Sequence, residues 1–126
     1  MLRRASSAAL GRLAERLQSL DLRISDASVL LVIEANPEIS QSEIGRLLDI
    51  AGANMAPLVG RLEARELVIR RPIDGRSQAL SLSREGRSAL SRVKTIIEAH
   101  EQELWNRIPE SDRATFMRVL RTITDG

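Results

Sequence analysis

Cysteine and tyrosine are absent from this 126-residue chain, and tryptophan, phenylalanine and histidine occur once each. Without cysteine there is neither a disulfide framework nor a thiolate for nucleophilic or metal chemistry. With one histidine and no phosphate-cradling glycine loop, no catalytic triad or nucleotide site can be assembled. The acidic pairs along the chain then read as surface helix chemistry, and an enzyme is not expected. Two aromatics cannot build the stacking platform that readers of RNA or single strands use. No apolar run approaches the roughly 18 residues that span a bilayer. The basic start MLRRASSAALGRLAERL turns amphipathic rather than into the apolar core of a secretory signal. A soluble cytoplasmic protein, without cofactor or membrane partner, is the expectation.

Lysine is nearly absent too: Lys94 stands alone among nineteen basic residues, and the rest are arginine. The net charge is only +2, but residues 61 to 92 hold eight arginines against four acids, a net of +4, which leaves the remainder at −2. A basic middle between slightly acidic flanks is the asymmetry of a chain that touches a polyanion with one region.

Leu10, Leu13, Leu17 and Leu20 recur at helical spacing, so residues 4 to 20 read as an amphipathic helix. Ser25 is placed to cap a second helix in which Val29, Leu30, Val32 and Ile33 point inward, and Asn36-Pro37 ends it. Ser40-Gln41-Ser42-Glu43 has the pattern of a capping box, with the Ser40 hydroxyl on the Glu43 amide and the Glu43 carboxylate on the Ser40 amide. The helix it opens carries Ile44, Leu47 and Leu48 as its buried stripe. A tight connection containing Gly52 leads to a helix from about Asn54 to Arg65 that buries Met55, Leu58, Val59 and Leu62; Pro57 fits there only near the helix start. Two short helices about a glycine-bearing turn make a helix-turn-helix pattern.

Leu67-Val68-Ile69 and Leu80-Ser81-Leu82 read as strands, with turn chemistry from Pro72 to Gly75 between them. Ser83 then caps a long helix whose Leu90, Val93, Ile97, His100 and Leu104 step three and four apart, a seam suited to packing along another helix. Ile108-Pro109 breaks it, and Phe116, Met117, Leu120 and Ile123 line one face of a last helix. His100 opens the segment HEQEL, the start of a zinc-protease signature. Leu104 stands where that signature needs a second histidine, so Glu98, Glu101 and Glu103 read as a solvated face and no metal is expected.

Helix, helix-turn-helix, hairpin, long helix, helix is the order of a winged helix between two helical arms. Over almost its whole length the chain resembles the MarR-type transcriptional regulators. The resemblance is carried by Leu-Leu-Val-Ile (30 to 33) before Asn36-Pro37, by ISQSEIGRLLDI (39 to 50), by RLEARELV (61 to 68), and above all by RRPIDGRSQALSLSREG (70 to 86). That last segment follows the family's wing pattern of Asp-x-Arg, then Leu-x-Leu-Ser/Thr-x-x-Gly. The resemblance implies a mainly α, winged helix-turn-helix fold in a single domain over residues 1–126. Residues 4–20 and 84–126 would be dimerisation arms around a DNA-binding lobe at 25–83. It implies a ligand-responsive repressor that binds an inverted repeat in double-stranded DNA as a homodimer; the rival reading is a winged-helix module for protein interaction.

By resemblance the wing arginine that enters the minor groove is Arg76, and the aspartate that helps hold it is Asp74. A guanidinium on a thin hairpin suits the negative floor of a narrow A·T-rich groove, whereas the plain alternative is an arginine solvating a loop. Arg70 and Arg71 either meet phosphates or lie on the solvent face of an edge strand. The recognition helix departs from its relatives: Ala51, Gly52 and Ala53 stand where polar or basic readers are usual. Asn54 is the one strong reader there, for adenine N6 and N7, and capping its own helix competes for the same side chain. Arg61 and Arg65 are candidates for phosphate contact or for a surface network with Glu63 and Glu66. Ser40, Gln41 and Ser42 begin the preceding helix, whose amides can bind a phosphate.

Leu10, Leu13, Leu17, Trp105, Phe116 and Leu120 are the residues that the resemblance assigns to dimerisation; core packing within one chain is the alternative. The first arm is short for the family. Family members often bind a small aromatic or phenolic acid between the arms and the DNA-binding lobe. Arg16, Arg23 and His100 are on hand for its carboxylate, without an assignment.

Overall fold

The computed structural model describes residues 1–75 and 77–126. Its first helix, α1 (Leu2–Leu17), continues into a 3-10 turn at Gln18–Leu20, and Asp21 closes that turn in the left-handed region at φ 53°. Helix α2 (Ile24–Ala35) begins one residue before Ser25, which is therefore inside the first turn and not its cap. The cap comes from Asp26: its Oδ2 accepts the Arg23 backbone N–H at 2.8 Å, an acid three residues in that satisfies an orphan amide.

Strand β1 (Ile39–Ser40) leads directly into α3 (Gln41–Leu48), then α4 (Gly52–Ala64), β2 (Val68–Pro72), β3 (Gln78–Leu82), α5 (Arg84–Asn106) and α6 (Arg113–Asp125). The sheet is antiparallel in the order β1-β3-β2, with Ile39 opposite Leu80 and Val68 opposite Leu82. β1 is the element the sequence hides. Two residues show no alternation, and their partner lies forty positions on.

Leu17, Val29, Leu30, Ile44, Met55, Val59, Leu62, Leu80, Leu90 and Val93 form the centre of the core, each less than 2% exposed. α2, α3, α4, the sheet and the first half of α5 thus share one interior. Leu47, expected in the α3 stripe, is instead 62% exposed. The eight-residue helix turns Ile44 inward and Leu48 partly so, and Leu47 falls on the outer side.

The junction of α5 with β2 leaves no room for a side chain. A Cβ on Gly86 would stand 2.0 Å from the Leu67 carbonyl oxygen, so the start of α5 lies directly against the entry to β2. Ser83 anchors the same corner: its hydroxyl accepts the Gly86 amide at 2.9 Å and donates to the Glu66 carbonyl at 2.5 Å. The wing and the long helix are held together at that point.

Candidate nucleic-acid interface

The helix-turn-helix is tight because Gly45 makes it so. A Cβ there would meet the Ile50 carbonyl oxygen at 2.9 Å and the Met55 side chain at 3.1 Å. Asp49 closes α3 in the left-handed region at φ 54°, and the Ile50 amide returns to the Gly45 carbonyl at 2.8 Å. With the turn so short, α4 buries Met55, Leu58, Val59 and Leu62 and presents Ala53, Asn54, Ala56, Pro57 and Gly60 to solvent.

α4 starts at Gly52, two residues before the expected start. The Ala51 carbonyl accepts both the Asn54 amide at 2.9 Å and the Met55 amide at 3.0 Å, which nucleates the first turn from Ala51. Asn54 is therefore the third helical residue and not the cap. Its side chain is exposed and makes no hydrogen bond to another described residue. Pro57 falls inside the helix, on its exposed side, and has no amide to give the Ala53 carbonyl.

At the start of α3 the Ser40 hydroxyl accepts the Glu43 amide at 3.2 Å, as a cap should. The reciprocal half differs from expectation. The Glu43 carboxylate takes the Ser40 hydroxyl at 3.0 Å, and the Ser40 backbone lies in β1 opposite Ala79. Ser42 sits 3.3 Å from Ser40, oxygen to oxygen. A hollow of about 530 Å³ between α3 and α4 is lined by Gln41, Ser42, Arg46, Asp49, Gly52 and Met55, among others. Arg46 is a cation that the sequence reading missed. It is exposed and pairs with no described acid, and its sole signal was position, one helical turn after Ser42.

Most of the other arginines singled out from the sequence have partners in their own chain. Arg61 reaches Asp26 at 3.1 Å, joining α4 to the start of α2, and Asp26 is only 5% exposed. Arg65 donates to the carbonyls of Asp21 at 2.5 Å and Leu20 at 3.0 Å, where the 3-10 turn leaves acceptors unsatisfied. Neither joins Glu63 or Glu66. Arg71 pairs with Glu38. Arg70 is the most engaged: Nε donates to Glu63 at 2.5 Å, Nη2 to Gln41 at 2.9 Å and Nη1 to Gln78 at 3.3 Å. Gln41 is thus drawn toward the wing.

At the wing tip the Ser77 carbonyl accepts the Ile73 amide at 3.0 Å and the Asp74 amide at 3.4 Å. Asp74 Oδ1 takes the Ser77 amide at 2.9 Å, so this carboxylate shapes the tip itself. Arg76, the expected minor-groove residue, lies outside the described residues.

The dimerisation candidates divide. Leu17 is wholly buried in its own chain and offers nothing to a second copy. Leu13 packs partly on that same core, while Leu10 is 50% exposed. No residue of α6 is buried, and Phe116 stands open beside Val119 and Ile123, with Leu120 partly covered. Trp105 is half-buried under the Arg113 guanidinium, 5.5 Å from the ring centre, which fastens α5 to α6. Arg16 is paired with Glu103, tying α1 along α5, and His100 is buried one turn away.

The MarR family model matches residues 20–77, the whole of this helix-turn-helix and the wing up to its tip. A transcriptional repressor, CouR, solved on a 23-mer DNA duplex, is 32% identical and superposes with a TM-score of 0.87, covering 98% of this chain and 89% of that one. The chain belongs to the MarR family. CouR has also been solved with p-coumaroyl-CoA, in a structure 30% identical to this chain, with a TM-score of 0.81 over 98% of this chain and 88% of that one. A relative from Thauera aromatica, described as a transcriptional regulatory protein for the hcr operon, is 28% identical over 97 residues, 75% of this chain; the match spans 58% of that relative's length. These relatives are transcriptional regulators, and the α3–α4 pair with the β2–β3 hairpin gives this chain the winged-helix fold. Among the described residues no helix of this MarR protein is long and apolar enough to cross a membrane.

Proposed function

We propose that this MarR protein is a ligand-responsive repressor that binds double-stranded DNA as a homodimer in the cytoplasm. The observation that carries the reading is the outward face of α4 beside an arginine-bearing wing, in a chain that matches a DNA-bound repressor over nearly its full length. α4 enters the major groove, where the Asn54 amide, unused within the chain, pairs with adenine N6 and N7, and Ala53 and Ala56 lie against thymine methyl groups. The amides at the start of α3, beside Ser40 and Ser42, meet a phosphate. Arg46 meets another, while Arg61, Arg65 and Arg71 hold the lobe together and contribute mainly to the field around it. Arg76 reaches the minor groove.

The open face of α6, with Leu10 of α1, joins two copies, so the operator is an inverted repeat. The effector is an aromatic or phenolic acid, and the CouR complex makes the coenzyme A thioester of such an acid a second chemical form to test.

Selection of bound duplexes from a random pool, followed by footprinting, tests the reading. Two half-sites with centres about 10 base pairs apart are expected, with affinity falling steeply as salt rises because phosphate contacts release counterions. A single asymmetric site, or a complex indifferent to salt, would refute it. Failure to retain any duplex would favour a winged helix used for protein interaction, for which the uncharged face of α4 is the supporting observation.

A further inference from the structure

Past Arg70 the wing is tied to the rest of the chain by the exposed Arg71–Glu38 pair, which salt and water screen. Residues 71 to 75, and Ser77 and Gln78 on the return, are all exposed, and β2 is an edge strand of the sheet. A two-stranded ribbon without an apolar backing is marginally stable in water. The tip lies five residues beyond Arg70, about 16 Å at ~3.3 Å per residue. A swing of about 10° at the root would move it by about 3 Å, half the roughly 6 Å width of a minor groove. Something at the root has to set the angle.

Arg70 is at that root, on the face of β2 that also carries the buried Val68. Its guanidinium bridges three separate elements: Glu63 on α4, Gln41 at the first position of α3, and Gln78 across the hairpin on β3. The guanidinium spreads its donors over three nitrogens held in one rigid plane, and each nitrogen here serves a different element; an ammonium gathers its three donors on a single atom at the end of a flexible stem. The charge is also already matched, since Glu63 lies 2.5 Å from Nε and both side chains are about one-third exposed.

We propose that Arg70 is a positioning residue that sets the angle between wing and recognition helix and touches no phosphate. The inference rests on the DNA-binding reading above for its consequence, though not for its geometry.

Fluorescence-anisotropy titrations of Arg70→Lys, Arg70→Ala and Glu63→Gln on one selected duplex, each over a salt series, separate the two roles. As a positioning residue, all three variants weaken binding about tenfold, within the range of one lost base-level contact, and leave the salt slope unchanged. As a phosphate contact, Arg70→Lys would stay near wild type, and Arg70→Ala would lower the slope by about one. Glu63→Gln, having gained a net positive charge, would then bind tighter. Either of those last two affinity results, Lys equal to wild type or Gln tighter, overturns the proposal. Amide hydrogen exchange on the free protein is the second measurement. The Ile73 and Ser77 amides should exchange faster in Arg70→Lys while those of α5 do not change; equal protection at the wing overturns the proposal. A wild type that binds no duplex would refute the DNA-binding reading instead, and exchange alone would still decide whether Arg70 holds the wing.

Discussion

Replacing Phe116 with aspartate is the sharpest test of the assembly. Phe116, Val119 and Ile123 keep 41%, 44% and 54% of their surface open in the single chain, and Leu10 keeps 50%. Full burial of such a side chain is worth about 1.5–3 kcal/mol, so the open half of each is worth about 1 kcal/mol. Four of them give about 4 kcal/mol per protomer and, because a twofold interface uses each face twice, about 8 kcal/mol for the pair. That is of the same order as the rotational and translational cost of association, so a single change counts heavily. Phe116→Asp removes about 1 kcal/mol on each side and buries a carboxylate whose desolvation costs several more. The dimer dissociation constant should rise at least a thousandfold, about 4 kcal/mol. Folding should be spared, since no residue of α6 enters the core. Equilibrium sedimentation, with circular dichroism to check helicity, measures both. A variant that stays folded and dimerises as wild type does would refute α6 as the interface.

Arg76→Ala should cost about 1–3 kcal/mol of DNA binding without changing fold or assembly. Asp74→Ala should cost less, and anisotropy on the same duplex reads both; wild-type affinity for Arg76→Ala would make the wing dispensable. Asp26→Ala removes the acceptor of both the Arg23 amide and the Arg61 guanidinium, and should cost about 2 kcal/mol of stability in a urea titration. Asp26→Asn, which keeps an acceptor for the Arg23 amide, should cost less; equal losses would contradict the capping role. Gly86→Ala drives a Cβ to 2.0 Å from a backbone oxygen, and should cost at least about 3 kcal/mol by the same titration or prevent folding. A wild-type urea midpoint would mean that the α5–β2 corner can open.

The helices, their order and the wing were legible in the sequence because each depends on local rules. Leu10, Leu13 and Leu17 mark a helical stripe by spacing alone, Ser83 marks a helix start, and Pro72 to Gly75 mark a turn. Ser25 and Asn54 show how those rules slip by one or two residues. Asp26 and the Ala51 carbonyl capture the amides first, and a helix begins where its first orphan donors find acceptors. What the sequence could not settle was which arginines are free. Arg61 finds Asp26 from thirty-five residues away, and Arg70 finds Gln41 from twenty-nine. By charge and position they look the same as Arg46, which finds no acid among the described residues. Likewise Leu17 and Leu10 share one stripe, yet one is sealed in the core and the other is half open. Periodicity names the face of a helix, but only the packed fold decides what that face meets. A guanidinium becomes a strut or a ligand contact according to the neighbours that tertiary structure brings within about 3 Å of it.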